Sequence, residues 1–262
     1  MPTYLDRILA AHRAASAADR RDLDVLVAEA EAMAPTRGFT AALARTEGLA
    51  VIAEVKRRSP SKGDLAVALD PVALAGRYAA GGAACLSVLT DAEFFSGSPD
   101  DLRAARAAVR IPVLRKDFTV APADVADARI MGADAVLLIV AALSPTELVD
   151  LLRLSRRLGI DALVEVHDEA EAELALGSGA TLIGVNQRDL VTFEVDTARA
   201  ERVVKALPES VVRVAESGIR DATDAGRLAD AGFDAVLVGE SLVTAPDPSA
   251  AVTAIIRSGP GH

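Results

Sequence analysis

The chain has 262 residues and a formal net charge of −10 at pH 7, with 51% hydrophobic but only 3% aromatic residues. That charge argues against a nucleic-acid groove or an anionic membrane surface as partner, because both need clustered Lys and Arg. A core of Ala, Val, Leu and Ile suits buried parallel strands clothed by helices, and the length matches one α/β barrel better than two small domains.

Residues 1–48 precede the first strand-like run and read as an extension of the same domain, with Ala/Leu-rich helices expected over 4–15 and 21–33, followed by Pro35. Asp6, Arg7, His12 and Arg13 interrupt the N-terminal apolar residues, so no signal-peptide core forms and a cytoplasmic location is expected. Apolar runs then follow near 51–56, 84–89, 112–115, 134–139, 162–166, 181–186, 211–215 and 235–238. The longest strongly apolar stretch, 133–143, contains Asp134 and is too short to span a bilayer. Five of the runs are announced by similar junctions: Gly82-Ala-Ala-Cys-Leu, Gly132-Ala-Asp-Ala-Val-Leu, Gly159-Ile-Asp-Ala-Leu-Val, Gly179-Ala-Thr-Leu-Ile and Gly232-Phe-Asp-Ala-Val-Leu. In each, a glycine closes an Ala/Leu-rich helical segment in the left-handed conformation that a Cβ disfavours, and a strand begins. The helix before Gly159 opens at Ser144-Pro-Thr-Glu and carries Leu148, Leu151 and Leu152 on one stripe. Eight βα units imply a closed (β/α)8 TIM barrel over 1–262; an open doubly wound sheet is the alternative, and no glycine-rich dinucleotide fingerprint follows the first strand.

Alternate residues of a barrel strand point inward, and chemistry gathers at the strands' C-terminal ends. Ile52, Glu54 and Lys56 share one face of the first strand; Leu114, Lys116 and Phe118 of the third; Leu163 and Glu165 of the fifth. Leu182, Gly184, Asn186 and Arg188 share a face of the sixth, and Val212, Val214 and Glu216 of the seventh. Any one of these polar residues reads equally well as a surface group beyond its strand. As a set they imply mutual pairing around a polar ligand, since burying unpaired charge costs several kcal/mol.

Glu216-Ser217-Gly218-Ile219 and Val238-Gly239-Glu240-Ser241 follow the seventh and eighth strands, where barrels commonly bind phosphate on backbone N–H groups. Ser59-Pro-Ser-Lys-Gly63 adds hydroxyls and a cation to the first βα loop, with a solvated turn as the plain alternative. Phe94 and Phe95 in the second loop, and Phe118 beyond Lys116, suit an apolar wall beside an aromatic substrate, or ordinary loop packing. Cys85, the only cysteine, falls mid-strand and reads as a packed thiol, so neither a disulfide nor a cysteine metal cluster is expected. His12, His167 and His262 are scattered; His167 shares the alternation of Glu165 and could touch the mouth, but just past the strand end it reads rather as a solvated loop residue, and no metal site is expected from the three.

Ile52-Ala-Glu-Val-Lys-Arg-Arg-Ser-Pro-Ser-Lys-Gly63 closely resembles the signature of the indole-3-glycerol phosphate synthase family. Val113-Leu-Arg-Lys-Asp-Phe118, Glu165-Val-His167, Gly184-Val-Asn-Gln-Arg-Asp-Leu190 and Glu216-Ser-Gly-Ile219 follow in the family's order, and the resemblance covers nearly the whole chain. Gln187, where a second Asn is common, is the main local departure. The resemblance implies pyrrole-ring closure of 1-(2-carboxyphenylamino)-1-deoxyribulose 5-phosphate with loss of carbon dioxide and water in tryptophan biosynthesis, without a cofactor. It implies Lys116 as the acid at the substrate carbonyl and Glu165 as the group that stabilises positive charge and exchanges protons. Lys56 would hold the substrate and assist dehydration, while Glu54, Asn186 and Glu216 position groups around it. Ser59, Ser217, Gly218, Gly239 and Glu240 would hold phosphate, Arg188 would orient the polar network, and Phe95 and Phe118 would wall the aromatic ring. A monomer is left open. The rival readings are another phosphate-binding barrel enzyme, such as a sugar-phosphate isomerase, and a ligand-binding barrel without turnover. The first favours a carboxylate pair or a Cys/Asp pair at strand ends, and the second has no use for Lys56, Lys116 and Glu165 together.

Overall fold

The computed structural model describes residues 3–59, 62–189, 191 and 194–259. Pro60 and Ser61 of the first motif, Leu190 of the fourth and His262 lie outside them. Parallel strands β1 (Ala50–Val55), β2 (Cys85–Leu89), β3 (Val113–Lys116), β4 (Ala135–Ile139), β5 (Asp161–Val166), β6 (Leu182–Asn186), β7 (Val212–Glu216) and β8 (Ala235–Val238) pair in chain order. β8 returns to β1, so the sheet closes, as the eight apolar runs imply. Observed strand ends shift by a residue, which makes Lys116 and Glu216 the last residues of their strands rather than the first beyond them. The five junction glycines, Gly82, Gly132, Gly159, Gly179 and Gly232, all take positive φ, between 63° and 104°.

Alternation divides each strand between two cores. Ile52, Cys85, Leu114, Leu137, Leu163, Leu182, Val214 and Leu237 fill the barrel interior. Their neighbours of opposite parity, such as Val51, Leu86, Val136 and Val164, join the helices outside. The helices between strands are amphipathic for this purpose: α8 (Pro145–Arg157) buries Leu148, Leu151 and Leu152 and starts with the capping box of Ser144 and Glu147.

The N-terminal segment wraps the barrel from mouth to base. α1 (Tyr4–Ala18) lies over the loops after β2 to β4, with Tyr4 edge-on to Phe94 at 5.8 Å and Arg13 Nη2 donating to Ala142 O at 2.9 Å. α2 (Leu23–Ala32) packs on α7 (Pro122–Met131), where Arg21 meets Asp127 at 2.8 Å. A third helix absent from the sequence reading, α3 (Phe39–Ala44), stoppers the N-terminal end of the barrel: Phe39 and Leu43 insert among the interior residues. Its backbone is tied to strand starts, Thr40 N donating to Asp161 Oδ2 at 2.8 Å and Arg37 N to Asp134 Oδ1 at 2.8 Å. Asp134, fully buried, also accepts from Val113 N and the Arg106 guanidinium, so its charge is compensated on every side. Phe39→Ala removes a fully buried ring from the base, and should lower unfolding free energy by about 3–5 kcal/mol in a denaturant titration while leaving the opposite end of the barrel unaltered.

Candidate active site

The sheet register sets a ring of polar groups at one height. Glu54 pairs with Ser87, Leu89 with Lys116, Ile139 with Glu165, and Asn186 with Glu216, all at the C-terminal ends. Five strands therefore deliver polar side chains into one mouth, as the alternation predicts, while β2, β4 and β8 contribute Leu89, Leu137, Ile139 and Leu237 beside them. The resulting cavity is about 810 Å³, within the range of small-molecule sites.

At its floor, Lys116 Nζ stands 3.1 Å from Glu165 Oε2 and 3.5 Å from Glu216 Oε2. Asn186 Nδ2 donates to the other Glu165 oxygen at 3.0 Å. Across the floor Lys56 Nζ meets Glu54 Oε1 at 2.5 Å, and Ser87 Oγ donates to Glu54 Oε2 at 3.3 Å. Two glycines make room for these carboxylates. A Cβ at Gly184 would run into the Glu216 carboxylate, and one at Gly239 into the Glu54–Lys56 pair.

Burial favours a neutral Lys116, but Glu165, Glu216 and Glu54 outweigh it and hold the amine charged well above its ordinary range. Burial also opposes ionisation of Glu165, yet Lys116, His167 and Asn186 keep its carboxyl below the usual value. Glu216 goes the other way: burial, reinforced by the negative charges of Glu165 and Glu54 and opposed by Lys116, pushes it up to about 8. Its Oε1 is buried without a hydrogen-bond partner, in the space that the missing side chain of Gly184 leaves. The floor thus holds a charged acid, an ionised carboxylate and a protonated carboxyl side by side, a set able to give and receive protons at neutral pH.

The remaining expected residues surround this floor. Ser59, Ser217, Gly218, Gly239 and Glu240 line the cavity, as does Arg188, whose backbone N–H donates to Asn186 Oδ1 at 3.0 Å. Ser217 holds φ at 66°, a left-handed turn before Gly218, and Ser241 Oγ bridges the two loops by donating to Ile219 O at 3.0 Å. Phe95 and Phe118 face each other at 6.4 Å on the opposite flank, whereas Phe94 turns away beneath Tyr4. Cys85 is buried mid-strand, its thiol pushed up by burial, and takes no part.

Two histidines are placed differently from the sequence reading. His167 is half-buried against Glu165, Nε2 lying 3.5 Å from Oε1, because Glu171 in the first turn of the next helix pulls the imidazole in through Nδ1 at 3.1 Å. His12 reaches the mouth from α1, with Nε2 2.9 Å from Asp91 and 3.8 Å from Asp117, and stacks on Phe118 at 5.5 Å. Only a contact across 79 residues creates this site, and no local pattern announces it. The three groups converge as metal ligands would, but Asp91 also accepts from Phe94 N, and Asp117 from Thr90 and Arg115. Lys62, in the first βα loop, stands 3.8 Å from Glu240 across the rim.

The fold and the acid–base floor define a (β/α)8-barrel enzyme with its chemistry at the C-terminal face of the strands. A family model described as indole-3-glycerol phosphate synthase matches residues 5–255. Curated proteins named indole-3-glycerol phosphate synthase are similar over nearly the whole length. That of Mycobacteroides abscessus is 51% identical, and those of Mycolicibacterium gilvum and Mycobacterium tuberculosis 52%, each over 98% of this chain and 95% of theirs. Solved structures with the same fold include 3-hexulose-6-phosphate synthase, at TM-score 0.62 and 14% identity over 80% of this chain and 99% of that one. Thiamine phosphate pyrophosphorylase from Pyrococcus furiosus follows at TM-score 0.61 and 16% identity over 80% and 95%. The chain belongs to the indole-3-glycerol phosphate synthase family.

His12 links the mouth to pH. Its hydrogen bond to Asp91 and the charge of Asp117 raise its folded pKa against the effect of burial. The contribution to stability is therefore full below the unfolded value near 6.5 and is lost as pH rises through the higher folded value. His12→Gln should destabilise the protein on the order of 1 kcal/mol at pH 6, the imidazole being partly exposed, and the difference from wild type should vanish toward pH 9 in paired unfolding curves.

Proposed function

We propose that this single-domain barrel, with residues 1–48 as its helical extension, closes the pyrrole ring of 1-(2-carboxyphenylamino)-1-deoxyribulose 5-phosphate. Carbon dioxide and water leave, giving indole-3-glycerol phosphate, a lyase step of tryptophan biosynthesis. The observation that carries this reading is Lys116 held charged between Glu165 and Glu216 on the cavity floor, with the Glu54–Lys56 pair facing it. As the aryl carbon attacks the ribulose carbonyl, Lys116 gives that oxygen a proton, and Glu165 stabilises the positive charge that spreads over the ring and nitrogen. Decarboxylation returns the bonding pair to the ring. Dehydration then needs a proton for the departing hydroxyl, assisted by Lys56, and removal of one from carbon, which Glu165 accepts.

Glu54 orients Lys56 through their ion pair, Asn186 orients Glu165 through its amide, and Glu216 positions Lys116 from 3.5 Å. Phosphate sits on Ser217, Gly218, Gly239 and the backbone of Glu240, with Ser59 closing from the first loop and Arg188 from the sixth. Phe95 and Phe118 cover the aromatic ring. Every group named comes from one chain, compatible with a monomer, and no helix among the described residues is long and apolar enough to cross a membrane. A cytoplasmic setting suits a sequence whose N-terminal apolar residues are broken by charges.

Lys116→Met keeps the apolar stem and removes the proton. Turnover, followed by fluorescence of the indole product, should fall about a hundredfold to ten-thousandfold in kcat, with thermal unfolding and binding of a substrate analogue retained. Near-normal kcat in the folded variant would move the acid to Lys56. Phe95→Ala should raise KM for the aromatic substrate; unchanged affinity and rate would remove Phe95 from the wall.

A further inference from the structure

His167 is the neighbour of the floor that ring closure leaves without a task. It follows Glu165 by two residues and keeps the same parity, and its side chain is 12% exposed. Nε2 is buried with no hydrogen-bond partner among the described residues, 3.5 Å from Glu165 Oε1. Nδ1 lies 3.1 Å from Glu171 Oε2, and the same carboxylate oxygen accepts from the His167 backbone N–H at 2.8 Å, which fixes the ring between two acids. Glu171, on α9 (Glu169–Gly177), is 21% exposed and Glu165 only 1%. The order Glu171, His167, Glu165, Lys116 is thus a file of acid–base groups running from a carboxylate that water reaches to the buried amine, with no gap above 3.5 Å. The other charge that acts on the imidazole is Arg199 of α10 (Thr197–Val203), itself 3.6 Å from Asp189.

The chemistry gives such a file a use. Counted by bonds, ring closure adds one proton to the carbonyl oxygen and dehydration adds another as the hydroxyl leaves as water. Forming the pyrrole double bond releases one proton from carbon. Carbon dioxide departs from an ionised carboxylate and releases none. Each turnover therefore takes up one proton from solvent, at a floor that the bound substrate covers.

We propose that His167 is a positioning residue that holds Glu165 and relays this proton from Glu171 to Glu165, and so to Lys116, while the mouth is occupied. The inference rests on the acid–base reading of Lys116 and Glu165 given above. An imidazole suits the task because one ring nitrogen can release a proton as the other receives one. Burial disfavours its charged form, but the hydrogen bond to Glu171 and the charge of Glu165 overcome both that effect and Arg199, and raise its pKa from the ordinary value. The proton is accordingly held to higher pH than on a free imidazole and lost on the alkaline side.

The test is the pH profile of kcat for wild type, His167→Asn and His167→Gln, alongside Lys116→Met and Glu165→Gln, with folding checked by thermal unfolding. The His167 variants should lose at least about tenfold in kcat, less than the ~100-fold lower end for a group acting directly on substrate. Their alkaline decline should shift, and added imidazole should restore part of the rate. Wild-type kcat and profile in either folded His167 variant, or a lower kcat with an unshifted profile and no rescue, would overturn the relay. Activity surviving in Lys116→Met and Glu165→Gln would instead overturn the acid–base reading beneath it.

Discussion

Three carboxylates and two ammonium groups share the floor of one barrel, and that imbalance governs the site. Glu54, Glu165 and Glu216 are each under 5% exposed, so water does little to screen their mutual repulsion. Lys56 and Lys116 compensate two of them, and the third can avoid an unpaired buried charge only by keeping its proton. Glu216 does so, because it stands farther from Lys116 than Glu165 does and lacks the amide that Asn186 gives Glu165. The protonation pattern is therefore a property of the set. Replacing any member would redistribute charge over the others, so single substitutions here should not act additively.

Holding such a set costs several kcal/mol per ion in desolvation, and the barrel offsets it by rigidity rather than by any one strong pair. The sheet register fixes the heights of the side chains, and Gly184 and Gly239 leave the volume that two carboxylates occupy. The base is built on the same electrostatic rule. Asp134 has no exposure but is surrounded by donors from Arg37, Arg106 and Val113, and so remains a fixed strut. At the mouth every described carboxylate oxygen of the floor is likewise engaged except Glu216 Oε1. The difference between strut and site is that one unsatisfied oxygen and the cavity into which the floor opens.

Much of this was legible in the sequence because barrels translate strand parity into depth. Glu54, Lys116, Glu165, Asn186 and Glu216 share parity with Leu, Ile or Val residues that read as interior, and the structure brings all five together. The glycine junctions were equally readable, since a left-handed cap leaves a local mark. α3 left none: six residues with two buried apolar side chains are too few for a period to register, and their partners are scattered along the chain, from Cys85 to Asp161. The histidines failed for a related reason. His12 meets Asp91 through the docking of a whole helix, and His167 is drawn inward by Glu171, a residue whose helical position gives it no special mark.

The unequal contribution of the strands gives the cavity a direction. Charged and amide groups come from β1, β3, β5, β6 and β7, whereas β2 and β4 bring Leu89, Leu137 and Ile139 to the flank walled by Phe95 and Phe118. The turns at Ser217, Gly218 and Gly239 lie on the opposite flank, after β7 and β8. A ligand with a flat ring at one end and an anion at the other gains from both flanks in only one orientation, because the reversed pose would bury the anion against aliphatic carbon. In that orientation the segment joining ring to anion must cross the floor, over Lys116. On the proposed reading, the asymmetry of apolar burial, and not the catalytic groups themselves, brings the reacting carbon to the acid.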